Sequence, residues 1–275
     1  MPRSDWGPAR YVLGGYREYA PPQDLVHVVD SFWTYSAPSV APAGMGHDVL
    51  PDPGLSLCFW HWGTSDMSLV VVGPVYEVRR LAPEPGTLLE AVRLWPERSR
   101  DLLGIDPREQ ADGLNPLDQV RTRDAARLRD RYTRSGGRGA GIDILLDELR
   151  DRCGRSPSRA ATLAARGLDH IRGVRETNVR LHPIARELGV SERHLRRVIR
   201  ETTGSGPKYH HRVARLNRAV AAADDDPDPN WSRLAARHGF YDQSHMIQEF
   251  RALAGSRPVE LHHERRQESL GGLPR

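Results

Sequence analysis

Residues 191–207 and 242–258 are two versions of one segment, and this repeat constrains the fold more than anything else in the chain. At an offset of 51, His194, Arg200, Gly204, Ser205 and Pro207 recur as His245, Arg251, Gly255, Ser256 and Pro258. Upstream, Ile184-Ala185 is answered by Leu234-Ala235, and Gly189-Val190 by Gly239-Phe240 after a one-residue shift. Each unit reads as a short helix, a turn containing glycine, and a capped second helix ending at Gly and Pro. That is the grammar of a helix-turn-helix. Ser191 and Asp242 suit the N-cap, because their side chains accept from the unpaired amides of the first turn. Gly204 and Gly255 suit the left-handed position that closes a helix.

The two second helices present different chemistry. At 100° per residue, Arg193, Arg196, Arg197 and Arg200 lie within about 60° of one line, with Leu195, Val198 and Ile199 opposite. Glu192 and Glu201 sit beside this stripe, and no acidic i+4 partner is interleaved on it. Four like charges are then left for a polyanion to relieve. In the second unit Met246, Ile247, Phe250 and Leu253 form the apolar side. Ser244, Gln248 and Arg251 lie opposite, with Gln243 near the amino end. Arginine pairs bidentately with guanine and glutamine with adenine, so the two helices are expected to read unlike half-sites. Between the units, residues 207–223 read as one helix of about 25 Å. With its loops it could hold the reading helices about one DNA turn apart, roughly 34 Å. The acidic run Asp224 to Asp228 is expected to be a solvated loop.

Charge agrees with this placement. The 275 residues carry 40 basic and 36 acidic side chains, a net of +4. Residues 1–159 hold 20 basic and 22 acidic groups, whereas residues 160–275 hold 20 and 14. The basic excess therefore sits in the half that carries the repeat. No apolar run approaches the roughly 20 residues of a membrane span, and the amino terminus lacks the apolar core of a secretory signal. Cys58 and Cys153 are too far apart in sequence for a CxxC metal site and too few for a disulfide framework. A soluble, cytoplasmic protein without membrane attachment is expected.

The first 90 residues read as β-rich: short apolar runs such as 55–63 and 68–72 are punctuated by Pro and Gly, which suggests a sandwich or barrel. From about Pro116 the period becomes helical. The glycine-rich stretch 135–141 breaks it, as a flexible connection would, and residues 142–153 form another amphipathic helix. Trp33, Phe59, Trp60 and Trp62 concentrate aromatic surface in the β-rich part and are the candidate effector-binding residues, against the alternative that they are core alone. His47, Asp48 and His61 lack metal-ligand spacing, and Cys58 with His61 makes no convincing nucleophile pair. No catalytic residue, metal or cofactor is assigned, and no enzyme is expected.

The motifs Ser191-x-x-His194-Leu195-x-Arg197, Thr203-Gly204-x-x-Pro207, Arg215-Leu216, Gly239-Phe240-x-Asp242-Gln243-Ser244-His245 and Phe250-Arg251 with Gly255-x-x-Pro258 resemble the AraC/XylS transcriptional regulators. The resemblance covers about residues 162–264. It implies a seven-helix DNA-binding domain with two helix-turn-helix units in successive major grooves. By position, its base readers fall on Arg193, Arg196 and Arg197, and on Gln243, Ser244 and Gln248, with Arg200 and Arg251 on the same faces. Gln248 departs from the Arg common there. Met246 and Ile199 stand where Phe is usual, and Ala254 where Thr is common. Val49-Leu50-Pro51-Asp52, Leu94-x-Pro96, Leu102-Leu103-Gly104 and Pro116-Leu117 are similar to a domain that often precedes such modules in actinobacteria, which implies a β-rich, broadly cupin-like fold.

The expected architecture is thus α+β and multidomain. Residues 1–134 form a β-rich, cupin-like barrel or sandwich for sensing or dimerisation, with a trailing helix. Residues 135–159 form a linker with one amphipathic helix, 160–265 an all-α DNA-binding domain, and 266–275 a disordered tail. The expected function is sequence-specific double-stranded DNA binding in transcription regulation. This reading has a small-molecule effector or redox signal read by residues 1–134, a homodimer and contact with RNA polymerase, and activation is a tendency of the family the chain resembles. Two alternatives stay open: an amino-terminal module that only dimerises or touches polymerase, and a metal- or Cys-dependent enzyme domain fused to the DNA-binding half.

Overall fold

The structure, a computed structural model, describes residues 9, 11–13, 15–39, 47–62, 66–82, 84–154 and 156–271. Among the described residues there are nine strands: β1 (Tyr11–Leu13), β2 (Tyr16–Tyr19), β3 (Val29–Ser36), β4 (His47–Val49), β5 (Leu55–Trp62), β6 (Asp66–Val72), β7 (Arg79–Leu81), β8 (Leu88–Leu94) and β9 (Leu114–Pro116). Seven of them make one antiparallel sheet in the order β1-β2-β3-β8-β5-β6-β9, and β4 pairs with β7 as a separate ribbon. Strand β8 lies between β3 and β5, with Ala91 opposite both Trp33 and Cys58. The β-rich amino-terminal region expected from the Pro- and Gly-punctuated runs is therefore present.

Side chains alternate across a strand, so each central strand builds two surfaces. Leu55, Leu57 and Phe59 of β5 and Val92 and Leu94 of β8 enter the main core. Cys58, Trp60, Leu89 and Ala91 enter a smaller cluster on the other face. The main core is closed by α2 (Leu117–Arg134) and α3 (Gly141–Arg152), which follow the short α1 (Ser99–Leu103). Ala125, Leu128 and Tyr132 of α2 and Ile142, Leu145 and Leu149 of α3 are all buried there.

This corrects the reading of residues 135–159 as a linker. The glycine stretch is not a flexible connection but a turn seated on a buried carboxylate: Glu90 accepts from the amides of Gly139 and Gly141, each at 3.1 Å. Gly139 has φ 89°, and a Cβ on Gly141 would lie 2.9 Å from the Phe59 ring. Glu90 also faces His61 at 3.6 Å, whose Nε2 is 2.6 Å from the Tyr132 hydroxyl. The single acidic residue in the apolar strand β8 thereby fixes the α2–α3 corner.

After residue 156 the described chain is helical: α4 (Arg159–Gly173), α5 (Leu181–Glu187), α6 (Glu192–Thr203), α7 (Pro207–Asp224), α8 (Trp231–Arg237), α9 (Gln243–Ala254) and α10 (Pro258–Gly271). Helices α5–α6 and α8–α9 are the two repeat units. Each has its own core, Leu168, Ile171, Leu195 and Ile199 in the first, and Leu216, Phe240, Met246 and Phe250 in the second. Gly167 of α4 lets α6 approach closely, since a Cβ there would meet Leu195 at 2.9 Å. Helix α10 continues through Gly271, so residues 266–271 are helical where a disordered tail was expected; residues 272–275 lie outside the described residues. No helix among the described residues is long and apolar enough to cross a membrane.

The role of α3 is measurable. Leu145 is fully buried under the sheet, so Leu145→Ala is expected to lower unfolding free energy by about 2–5 kcal/mol in denaturant titration. A loss under about 0.5 kcal/mol would return α3 to the status of a surface linker.

Candidate nucleic-acid interface and the adjoining cavity

The ends of α6 and α9 are built as the repeat requires. Ser191 caps α6 by accepting from the His194 amide at 3.1 Å, and Asp242 caps α9 by accepting from the His245 amide at 2.7 Å. Gly204 and Gly255 close these helices at φ 83° and 69°. The apolar sides of both face inward, leaving Arg193, Arg196, Arg197 and Arg200 exposed on α6, and Gln243, Ser244, Gln248 and Arg251 exposed on α9.

The arginine stripe is not the unrelieved row of like charge that the helical projection suggests. Arg196 pairs with Glu192, and Arg197 pairs with Glu201 at 2.7 Å while its guanidinium reaches the His194 ring at 3.2 Å. Glu192 lies one turn before Arg196 and Glu201 one turn after Arg197, and long side chains at i,i+4 meet across that distance. Both pairs are exposed, so each contributes only about 0–1 kcal/mol and yields readily to a better anion. Arg193 and Arg200 have no ion pair among the described residues. On α9, Gln243 is held at its side-chain oxygen by Ser232 of α8 at 2.8 Å. His245 supports the turn, accepting from the Tyr241 amide at 3.2 Å and packing edge-on against Phe240. The repeat gave no hint of Tyr241, which is 84% exposed directly before the α9 cap.

Arg215 sets the relation between the two units. It is 2% exposed in the middle of α7. Its guanidinium donates to the carbonyls of Thr177 at 2.8 Å and Gly239 at 3.0 Å, and to Glu249 of α9 at 2.8 Å. It also lies 4.6 Å from the centre of the Phe240 ring. The segment before α5, the turn of the second unit and α9 itself are thus tied to one charge on the spacer helix.

The amino-terminal domain grips this assembly. Tyr209 of α7 donates to the Val75 carbonyl at 3.0 Å, and the Tyr76 and Tyr209 rings meet edge to face at 5.1 Å. The Val78 amide donates to the Leu253 carbonyl of α9 at 3.3 Å. Elsewhere Arg172 of α4 pairs with buried Glu97 at 3.0 Å and stacks on Trp95. Residues 75–78 therefore touch the spacer and both repeat units, since a Cβ on Gly204 would lie 3.0 Å from the Tyr76 hydroxyl.

Beside this strap lies a cavity of about 620 Å³, between the second face of the sheet, the β4–β7 ribbon and α7. Of the aromatic candidates, Trp33 and Trp60 line it. Trp62 stacks on Trp60 at 4.5 Å and is 38% exposed outside the lining. Phe59 is turned to the opposite face by the two-residue period of β5 and stacks on Tyr132 at 4.5 Å. Asn217, Val220 and Ala221 of α7 form part of the wall, so the space belongs to both domains. Arg93 sits in the depth of it, 2.7 Å from Asp52 and 3.0 Å from Glu18, carboxylates that offset its desolvation and hold its pKa above the ordinary guanidinium range. These polar residues gave no signal in the sequence, because they come from β2, β8 and a loop.

Cys58 also faces this side, fully buried, and burial pushes its thiol well above the ordinary range. Asp48 pairs with Arg80 at 3.2 Å, whereas His61 faces Tyr132 on the other side of the sheet. The His47 side chain lies outside the described residues. Among the described residues no three His, Cys, Asp or Glu side chains could hold a metal ion.

Residues 184–264 match a family described as a helix-turn-helix domain, and residues 17–115 match a domain of unknown function, DUF6597. No curated protein matches the chain. Among solved structures, the chain is similar to the C-terminal domain of AraT, a response regulator from Geobacillus stearothermophilus, with 22% identity over 39% of this chain and 89% of that one, TM-score 0.36. It is similar to the DNA-binding domain of AdpA, a global transcriptional factor solved with a target DNA, with 25% identity over 41% and 97%, TM-score 0.34. It is also similar to ToxT from Vibrio cholerae O395, with 10% identity over 84% and 96%, TM-score 0.45.

Removing the shared tie tests the geometry of the two units. Arg215→Ala is expected to cost about 3–5 kcal/mol, because Glu249 and two carbonyls lose a buried partner. Arg215→Met, which keeps the stem against Phe240, is expected to cost less in the same thermal or denaturant titration. Equal losses would show that the stem, and not the charge, holds the units together.

Proposed function

We propose that this chain, a DNA-binding transcription regulator with a carboxyl-terminal helix-turn-helix domain of the AraC/XylS type, reads two successive major grooves with α6 and α9 and takes a small-molecule effector in the cavity shared by its domains. The observation that carries the DNA reading is the pair of capped helices, each burying one side in its own core and exposing hydrogen-bonding groups on the other. Arg193 and Arg200 are ready cations for phosphate or guanine. Arg196 and Arg197 reach DNA by exchanging Glu192 and Glu201 for it, so these glutamates lower affinity for any polyanion and favour sites that offer a guanine edge. On α9, Ser244 and Gln248 read bases, Arg251 contacts the backbone, and Gln243 presents its amide nitrogen while Ser232 holds its oxygen. Tyr241 places a hydroxyl beside the α9 amino end, within the reach of a phosphate.

The effector reading is supported by the walls of the cavity. A ligand shifts an equilibrium only by contacting two states differently. Here a bound molecule would touch the sheet through Trp33 and Trp60 and the spacer helix through Val220 and Ala221. Val75 both lines the cavity and accepts from Tyr209, so the path to the reading helices is short. Activation, contact with RNA polymerase, a homodimer and a cytoplasmic place belong to this reading through the family resemblance.

Selection of bound duplexes from random DNA at fixed salt tests it. Two unlike half-sites about one turn apart are expected, present twice if a homodimer binds. Recovery of a single half-site would mean that only one unit reads DNA. Within that assay Arg197→Ala is expected to cost about 1–3 kcal/mol and to relax preference at one base position. Equal loss on every sequence would make Arg197 a phosphate anchor.

A further inference from the structure

The two repeat units differ by one inserted residue, and the insertion changes what their matched histidines do. In the first unit the Val190 amide donates to the Ala185 carbonyl at 3.0 Å, and Ser191 follows at once as the cap of α6. In the second the Phe240 amide donates to the Ala235 carbonyl at 3.0 Å, and Tyr241 stands between it and the capping Asp242. Tyr241 therefore brings an extra amide into the turn, and His245 Nδ1 accepts from it at 3.2 Å. The first unit has no such residue. His194 Nδ1 lies instead 3.2 Å from Nη2 of Arg197.

Arginine carries five N–H donors and no acceptor, so this contact requires His194 to be a neutral ring with Nδ1 unprotonated. The other terminal nitrogen, Nη1, donates to Glu201 at 2.7 Å. DNA treats the two partners differently. Glu201 is an anion that competes with guanine and phosphate for the same cation, and nearby phosphates repel it. His194 is uncharged, takes one N–H of the five, and can stay when Glu201 leaves. Four donors are then free, enough for the two parallel bonds that guanine O6 and N7 accept. Arg196 lacks a holder of this kind: its partner among the described residues is Glu192, so release to DNA leaves its side chain unheld. The clasp has no counterpart in α9, where Gln248 and Ala252 occupy the places of Arg197 and Glu201.

Resting on the reading of α6 as a DNA-reading helix, we propose that His194 is a positioning residue. Its neutral Nδ1 holds the Arg197 guanidinium ready for a guanine edge and so sets base preference at one position of the first half-site. Holding the side chain in advance removes part of the entropy cost of ordering it on DNA. The gain arises only where the matching base is present, so it raises affinity for the matched duplex and leaves mismatched duplexes unchanged.

The test measures binding of the full chain, at fixed salt, to a duplex selected from random DNA and to duplexes changed at the position that Arg197→Ala relaxes. His194→Leu keeps apolar bulk and removes the acceptor. It is expected to lower preference at that position about two- to tenfold, with affinity for the mismatched duplexes unchanged. His194→Asn, whose side-chain oxygen accepts from the same branch point, is expected to keep the preference within about twofold. Glu201→Ala, at an exposed position, removes the competitor and leaves the holder. It is expected to keep the preference and to raise affinity for the matched duplex; loss of preference would make Glu201 the holder and overturn the proposal. Unchanged preference in His194→Leu, equal relaxation by Leu and Asn, or equal weakening on every duplex would also overturn it, and each leaves α6 standing as a DNA reader. If Arg197→Ala itself relaxes no position, Arg197 reads no base, and the positioning role falls together with that reading.

Discussion

A guanidinium buried in the middle of a helix must be given oxygen acceptors, and the way Arg215 obtains them organises the carboxyl-terminal domain. Its three acceptors come from the segment before α5, from the turn between α8 and α9, and from α9. Burial lowers its pKa, while Glu249 raises it, so the carboxylate offsets part of the cost of desolvating the guanidinium. Arg212 shares the same carboxylate at 2.9 Å. A rotation of the second unit about α7 would leave a charge without partners in a site that excludes water, so the two separately cored units are held in one arrangement.

The amino-terminal domain meets this reader at the points least tolerant of change. The closing glycines of α6 and α9 sit within contact of Tyr76 and Val78, and a Cβ at either position would lie 3.0 Å from them. Both glycines also adopt positive φ, so backbone conformation and close packing demand the same residue twice. The strap that makes these contacts leaves β6, passes the cavity at Val75 and enters the ribbon at Arg79. The cavity wall and helices α6 and α9 are therefore neighbours in the fold, joined by about four residues of backbone whose hydrogen bonds run to α7 and α9.

Features held by neighbours in the chain were legible before any fold was known. Ser191 and Asp242 cap, and Gly204 and Gly255 terminate, because each acts within four residues of itself. The arginine stripe was also legible, but its pairing was not: Glu192 and Glu201 lie off the stripe yet within reach of it, since a side chain of arginine's length sweeps across the helix surface. Phe59 was grouped with Trp60 by proximity in sequence, whereas a strand sends them to opposite faces. The glycine stretch 135–141 read as a connection because its use is non-local. Only the approach of β8 brings Glu90 beneath its amides.

From the sequence alone came the two helix-turn-helix units, their caps, their exposed polar faces, and the β-rich character of the first half. Those properties are periodic or local, and a 3.6- or two-residue period carries them. What tertiary structure decided is how these parts face one another: α3 buried as core, Arg215 binding two units through one charge, and a cavity whose wall belongs to both domains. Each of these joins residues tens or hundreds of positions apart. No period encodes such contacts; packing and the need to satisfy buried polar groups select them only when the whole chain is folded.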